Sequence, residues 1–168
     1  MVNVIKLRKG LDIKLAGAAE KKKIQRKSNG KYCLAPTDFV GVTPKVVVKE
    51  GDNVKAGDAL FINKNCPEVK FASPVSGTVR AVVRGERRKV LGIMVEADGK
   101  QEATDFGKKD VDRLSGDEVV NALLEAGLFG YINQLPYAVV ATPAERPKSI
   151  FVSALRDKPL AADFEYEL

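Results

Sequence analysis

Two glycine–aspartate pairs within one short stretch constrain the fold of this chain more than any other feature. They are Gly51-Asp52 and Gly57-Asp58 in EGDNVKAGDALF, and the segment SGTV (Ser76 to Val79) follows a little further on. Glycine is needed where a tight turn takes positive φ, because it has no Cβ. A valine between the two turns and an apolar pair after the second are typical of short strands. The stretch therefore predicts a small β-domain built on tight turns.

The same pattern extends from Tyr32 to Glu96, as short β-branched runs broken by turn residues. KVVVKE predicts one strand, and SGTVRAVVRGERRKVLGIMVE predicts a hairpin of two valine- and isoleucine-rich strands around Gly85. The two halves of the region are loosely alike, with Gly51, Gly57 and Leu60 against Gly85, Gly92 and Val95. Such a duplication predicts two interlocked four-stranded halves related by a pseudo-twofold axis.

The side-chain inventory argues against several classes of function. The 168 residues include no histidine and only two cysteines, Cys33 and Cys66. The commonest general base and metal ligand is therefore absent, and two cysteines cannot supply the usual four ligands of an iron–sulfur cluster. They also form neither a C-x-x-C motif nor a disulfide framework. We expect no catalytic, cofactor-binding or metal-binding residue in this chain.

No apolar run approaches the roughly eighteen residues that a membrane-spanning helix needs. The first residues, MVNVIKLRKGLDIKL, carry scattered charge without an apolar core, which is not typical of a signal peptide. These two features predict a cytoplasmic location.

The net charge of +6 is concentrated in two segments. Residues 20–31 hold six basic side chains and one acid, and residues 84–89 add four more basic side chains. Such segments indicate either an anionic partner or simply a solvated loop and a charged hairpin tip. No aromatic residue interleaves with the first segment, which argues against single-stranded nucleic acid.

The character of the chain changes after Gly99. SGDEVVNALLEAGLFG predicts a helix, because Ser115 and Glu118 have capping-box spacing and Gly127 is a suitable stop. Three prolines then predict an irregular connector, and SIFVSAL (residues 149–155) reads as a buried strand. Since the sequence ends shortly after that strand, we expect it to be part of a larger protein.

The turn pattern resembles that of biotinyl and lipoyl domains, flattened β-barrels that carry a modified lysine at an exposed hairpin tip. In that pattern the lysine falls about ten residues before the Ser-Gly pair. An ungapped count of ten back from Ser76 reaches Cys66, whereas Lys64 and Lys70 lie to either side and Pro67 would stiffen the turn. We therefore expect no covalent biotin or lipoate. A reactive Cys66 whose pKa is lowered by the nearby Lys64 is a less favoured alternative, because free cysteines usually pack as small hydrophobic residues.

A closer resemblance covers essentially the whole chain. In order, KLRKGLDIKLAG, DFVGVTPKVVVKEGDNVKAGDALF, FASPVSGTVRAVVRGERRKVLGIMVE, LLEAGLFGYINQLPYAVV and PKSIFVSALRDKPLAAD are similar to the N-terminal part of the A-subunit family of Na+-translocating NADH:quinone oxidoreductases. The resemblance implies a peripheral subunit on the cytoplasmic face of the bacterial inner membrane. The complex couples NADH oxidation and quinone reduction to sodium export. NAD, flavins, an iron–sulfur centre and quinone would be bound by other subunits, although quinone could also reach the full-length protein, and this chain would bind no cofactor.

The combined expectation is a mainly β chain with an α/β C-terminal part. Residues 1–34 would form an N-terminal arm with the basic loop, and residues 35–105 a barrel-sandwich hybrid domain. Residues 106–168 would form a helix, a proline-rich connector and the first strand of a Rossmann-like domain. The expected role is a structural and docking module of the complex. The alternatives are a component like the C subunit of the Rnf ferredoxin–NAD complex and, less favoured, a biotin or lipoate carrier.

Overall fold

Two antiparallel sheets form the barrel in the computed structural model, which describes residues 15–17, 20–22, 24 and 28–152. The strands are β1 (Lys31–Leu34), β2 (Pro44–Val46), β3 (Asn53–Val54), β4 (Ala59–Asn63), β5 (Cys66–Ala72), β6 (Gly77–Arg84), β7 (Val90–Ala97), β8 (Asn133–Gln134) and β9 (Val139–Val140), and the α-helix is α1 (Gly116–Glu125). Short 3-10 turns lie at Pro36–Asp38, Glu86–Arg88, Val111–Arg113 and Phe129–Tyr131. The chain divides into one unit of residues 28–146, which holds all these elements, and another of residues 1–27 with 147–168.

One sheet has the strand order β1-β7-β6-β3, and the other has the order β2-β4-β5. The core lies between them, because strands of both sheets direct apolar side chains inward. Its most deeply buried side chains are Leu60, Phe61, Val69, Phe71, Val79, Ile93 and Val95. The predicted hairpin of β6 and β7 and the mainly β fold are confirmed.

The predicted duplication is wrong in its details. Within the described residues the sheets have four and three strands rather than four each. Gly51 and Gly57 have φ of +93° and +99°, but the proposed counterpart Gly85 has φ −100° and Gly92 lies inside β7. The glycines of the two halves therefore serve different purposes: turns in the first half and space in the second. β2 is also shorter than the strand predicted from KVVVKE.

The helix α1 begins and ends as its sequence predicts. Ser115 accepts a hydrogen bond from the Glu118 N–H while the Glu118 side chain accepts from the Ser115 N–H, which completes the capping box. At the other end Gly127 takes φ +69°, and the N–H of Leu128 donates to Leu123 O at 2.9 Å. This is the Schellman arrangement that satisfies the last carbonyls.

Close packing joins α1 to the barrel at β5. A Cβ on Gly127 would lie 3.0 Å from Ala72 Cβ, and one on Gly130 would overlap the Phe71 ring. Phe71 in turn stacks on Phe61 with 4.4 Å between the ring centroids. The helix is therefore an extension of the barrel core and not a separate element beside it.

Two predictions for the C-terminal part need correction. The proline-rich connector contains a small ladder, in which Asn133 pairs with Val140 and Gln134 with Val139. The strand predicted over residues 149–155 is not formed at residues 149–152, and Ile150, Phe151 and Val152 are exposed. Residues 153–155 lie outside the described part of the chain.

β1 lies at the end of the range predicted for the N-terminal arm and pairs with β7 in the four-stranded sheet. The division of the chain at residues 34 and 105 stays a prediction.

Candidate functional site

The two glycine–aspartate pairs form the same turn twice. In each, the N–H of a lysine donates to the carboxylate of the aspartate three residues later: Lys49 to Asp52 at 2.7 Å and Lys55 to Asp58 at 2.8 Å. Each aspartate N–H returns a bond to the lysine carbonyl at 3.1 Å. These carboxylates are occupied by the backbone, so their role is to fix the turns.

Each turn is also tied to a separate stretch of chain. Gly51 and Asp52 exchange backbone hydrogen bonds of 2.8 Å with Val79 in β6, and Gly57 and Asp58 exchange bonds of 2.9 and 2.8 Å with Ser73. The motif that dominates the sequence is therefore part of the barrel architecture. It holds in place the strands that lead to the two hairpin tips.

The tip of the β4–β5 hairpin is Lys64-Asn65, not Cys66 as the ungapped count placed it. Asn63 pairs with Cys66, which leaves Lys64 and Asn65 as the loop. The Asn63 Oδ1 accepts from Asn65 N–H at 3.2 Å and from Thr43 N–H at 3.3 Å. Lys64 therefore occupies the exposed hairpin position that the carrier pattern gives to its lysine, and Pro67 lies within β5.

A bulge in β5 explains why the count was wrong. Ile62 pairs with Lys70 and the next residue, Asn63, pairs with Cys66, so three residues of β5 have no partner in β4 at this point. These three extra residues therefore lie in β5, after the hairpin tip, and not in the loop itself. Lys70, the other lysine considered, lies along β5 and away from the loop.

The environment of Cys66 does not favour a reactive thiol. Its side chain is half-buried, and its Sγ lies 3.7 Å from the Glu68 carboxylate as a hydrogen-bond donor. Burial raises the pKa of the Cys66 thiol, and the neighbouring Glu68 charge raises it further. A raised pKa reduces the thiolate fraction at neutral pH, which argues against the alternative of a reactive Cys66.

Cys33 has a packing relationship with β7. It lies in β1, and a Cβ on Gly92 would lie 2.6 Å from its Sγ. Gly92 therefore leaves the space that the sulfur occupies on this face of the sheet.

The second basic segment forms the tip of the β6–β7 hairpin. Gly85 N–H donates to Lys89 O at 2.8 Å, and this bond closes the loop. Arg87 and Arg88 both take left-handed backbone conformations, with φ of +51° and +61°. All of Glu86 to Lys89 is exposed, as expected of a charged tip.

The first basic segment is described only in part. Lys21, Lys22 and Lys31 are exposed, whereas Lys23, Arg26 and Lys27 lie outside the described residues. The same is true of residues 6–14, which carry most of the RKGLDIKLAG opening.

The two hairpin tips border one groove. It has a volume of about 430 Å³ and is lined by Pro44, Lys45, Val46, Lys64, Arg84 and Val90. Sequence reasoning singled out Lys64 and Arg84 for separate reasons and missed Lys45, because only the pairing of β2 with β4 brings Lys45 to this end. Three cations from distant parts of the chain thus meet at one surface.

No group of three or more histidine, cysteine, aspartate or glutamate side chains among the described residues could hold a metal ion. None of the helices in the described part is long and apolar enough to cross a membrane.

Together, the double turn, the two sheets and the exposed hairpin tip define a barrel-sandwich hybrid protein. Two family models match the chain. The model described as the NqrA N-terminal barrel-sandwich hybrid domain matches residues 5–98, and that of the NqrA second alpha/beta domain matches residues 114–168. The chain belongs to the NqrA family. The resemblance stated from the sequence blocks is confirmed.

Curated relatives carry the name of the A subunit of the Na(+)-translocating NADH-quinone reductase. The protein from Yersinia pseudotuberculosis is 36% identical over 162 residues, the one from Pseudomonas aeruginosa 36% over 163, and the one from Serratia proteamaculans 35% over 164. Each alignment covers 95% of this chain and 36% of the relative. The chain thus spans little more than a third of the length of these relatives.

Proposed function

We propose that this chain is the N-terminal docking module of a peripheral subunit in a Na+-translocating NADH–quinone reductase complex. Family membership carries the proposal, because the relatives that align with nearly the whole of this chain are named as the A subunit of that reductase. The module holds partner subunits on the cytoplasmic face of the bacterial membrane and takes no part in the redox chemistry. NAD, flavins, the iron–sulfur centre and quinone are bound elsewhere in the complex.

The chemistry of the described residues supports a binding role. The aspartates of the paired turns are engaged by the backbone, and the Cys66 thiol has a raised pKa. Among the described residues, in contrast, basic side chains are exposed at the β6–β7 tip and at Lys21, Lys22 and Lys31. Charge that is exposed and clustered favours contact with an anionic surface.

Co-purification of the full-length protein tests the proposal. We expect the tagged protein to retain the flavin-bearing subunits at low salt and to lose them progressively as salt screens the contact. Retention of no flavin-bearing protein at any salt concentration would contradict the proposal.

Charge reversal tests whether the first basic segment, residues 20–31, is a contact surface for the complex. Lys21→Glu, Lys22→Glu and Lys23→Glu together should weaken this association. The matched control reverses three exposed lysines outside both basic segments: Lys70, Lys100 and Lys108. Equal effects of the two triple variants would show that residues 20–31 are not a specific contact.

The alternative that this chain is a component of the Rnf type is less favoured, since both matching family models are of NqrA. Its cysteine-rich cluster motifs would lie beyond Leu168, so the downstream sequence tests it. The carrier reading has one specific observation in its favour, the position of Lys64 at the hairpin tip. The mass of the intact protein tests that reading.

A further inference from the structure

We infer that the groove between the β4–β5 and β6–β7 tips binds an extended acidic segment of a partner polypeptide. The inference rests on the proposed function for the source of that partner. It concerns the residues Lys45, Lys64 and Arg84 and the apolar surface between them.

The cations lie on opposite walls of the groove. Lys45 and Lys64 belong to the three-stranded sheet and its loop, whereas Arg84 ends β6 of the four-stranded sheet. The register of β6 on β7 shifts between Val83 and Arg84. The residue that this shift leaves unpaired is Leu91 of β7, and bulges occur often beside binding sites. A ligand in the groove would therefore meet positive charge from both sides.

These charges are not neutralised within the described part of the chain. None of the three cations forms a salt bridge there, and no acidic side chain lines the groove. Like charges that line one groove repel one another, so an anion that enters the groove stabilises the arrangement. Toward the rest of the described chain, Arg84 donates only a long hydrogen bond of 3.4 Å to the Arg88 carbonyl, which leaves most of its guanidinium available.

Apolar side chains contribute part of the lining between the cations. Pro44, Val46 and Val90 form this part, and Val90 is 6% exposed. A free phosphate would pair with the cations but would leave these apolar side chains in contact with water. A flat lipid surface would reach the protruding Arg87 and Arg88 before it reached the groove. An extended chain in which pairs of acidic residues are separated by an apolar residue can use both features, since adjacent side chains of a strand point to opposite sides and so reach both walls.

Binding of a labelled peptide to the 168-residue chain tests the inference. The probe is a synthetic peptide of glutamate-glutamate-valine repeats, and the matched peptide replaces each glutamate with glutamine. Fluorescence anisotropy should show binding of the first peptide and not of the second. Absence of binding of the glutamate peptide overturns the inference.

Two double variants test whether the peptide binds in the groove. Lys64→Gln with Arg84→Gln removes one charge from each wall, and Lys45→Gln with Lys64→Gln leaves the Arg84 hydrogen bond intact. We expect each to weaken binding by about tenfold, since an exposed ion pair contributes up to about fivefold. The control, Lys100→Gln with Lys108→Gln, loses the same net charge elsewhere and should bind as the parent chain does. Equal weakening in all three overturns the inference.

A variant of the β6–β7 tip distinguishes binding of a peptide from binding of a membrane. Arg87→Gln with Arg88→Gln should leave peptide binding within about twofold of the parent chain, because an exposed ion pair outside the groove contributes little. Phosphatidylglycerol vesicles and inorganic pyrophosphate should not displace the peptide from the parent chain. If vesicles displaced the peptide from the parent chain but not from the tip variant, the surface would be assigned to lipid instead. If pyrophosphate displaced the peptide, the surface would be assigned to a free anion. Because the assay uses the chain alone, its failure is distinct from a failure of the full-length protein to co-purify with the complex.

Discussion

The two hairpins that border the groove end in tips of different construction. The β4–β5 tip has two residues and is held by the Asn63 side chain, which accepts hydrogen bonds from two backbone N–H groups. The β6–β7 tip has five residues, Gly85 to Lys89, and two of them are arginines with positive φ. A left-handed non-glycine residue costs about 1 kcal/mol. The first tip is thus fixed by local bonds, whereas the second keeps its charge exposed at a cost in backbone energy.

The comparison shows how one scaffold supplies one tip that is fixed by side-chain hydrogen bonds and another that carries a cluster of exposed charge. It also predicts that substitutions in the two hairpins differ in their effect on stability. Loss of the Asn63 side chain or of a buried β5 side chain should destabilise the chain, whereas loss of an exposed side chain of the β6–β7 hairpin should change its stability little.

The largest expected effect is that of Phe71→Ala in β5. Phe71 is fully buried, stacks on Phe61 and lies 4.3 Å from Phe39 between ring centroids. We expect the free energy of unfolding to fall by about 4 kcal/mol, because a large cavity forms in the core. The matched variant in the other hairpin, Val83→Ala, removes a side chain that is 38% exposed and should cost less than about 1 kcal/mol. Equal losses in urea unfolding would contradict the contrast between the hairpins.

A second prediction concerns the base of the β6–β7 hairpin, which is as tightly built as the β4–β5 hairpin. A Cβ on Gly77 would overlap the Glu96 carbonyl oxygen and lie 2.9 Å from Ala97 Cα. Gly77→Ala should lower the free energy of unfolding by about 3 kcal/mol, since only backbone lies there to move. Gly99→Ala is the control: its φ is +75° but the space beside it is open, so about 1 kcal/mol is expected. Similar values for both would mean that the clash at Gly77 is relieved by a shift of the strand.

Asn63→Ala tests the fixed tip directly. Two backbone N–H groups lose their acceptor, so the free energy of unfolding should fall by about 1 kcal/mol. Glu86→Ala in the other tip should change stability by no more than about 0.5 kcal/mol, because its side chain forms no hydrogen bond within the described residues. If Glu86→Ala is the more damaging of the two, the assignment of fixed and charged tips is reversed.

The smallest expected effect is a pH dependence at the open end of the β6–β7 hairpin. Hydrogen bonds from the Ser76 hydroxyl and the Lys100 N–H lower the pKa of Asp98. A pKa that is lower in the folded than in the unfolded chain stabilises the fold above the unfolded value of about 3.9. That stabilisation is lost as the pH falls through the folded value. The parent chain should therefore exceed Asp98→Asn in stability at neutral pH, with the difference closing at acid pH. A difference that is unchanged down to acid pH would contradict this assignment.

The parts of the fold that the sequence made predictable are those with local signals. The paired turns depend on glycine and aspartate within four residues, and the limits of α1 depend on Ser115, Glu118 and Gly127. The position of Lys64 at the tip was not predictable, because a bulge inside β5 leaves no mark that distinguishes it from residues inserted in the loop. The groove could not be predicted from the sequence either, because only strand pairing between distant segments brings Lys45 beside Lys64 and Arg84.

The central claim is that the barrel keeps the carrier scaffold and uses the hairpin tip as a wall for docking. The mass of the intact chain, co-expressed with a biotin ligase and a lipoate ligase, tests it most directly. We predict the mass of the unmodified sequence, with Lys64 free. A biotinyl or lipoyl group attached to Lys64 would contradict the claim.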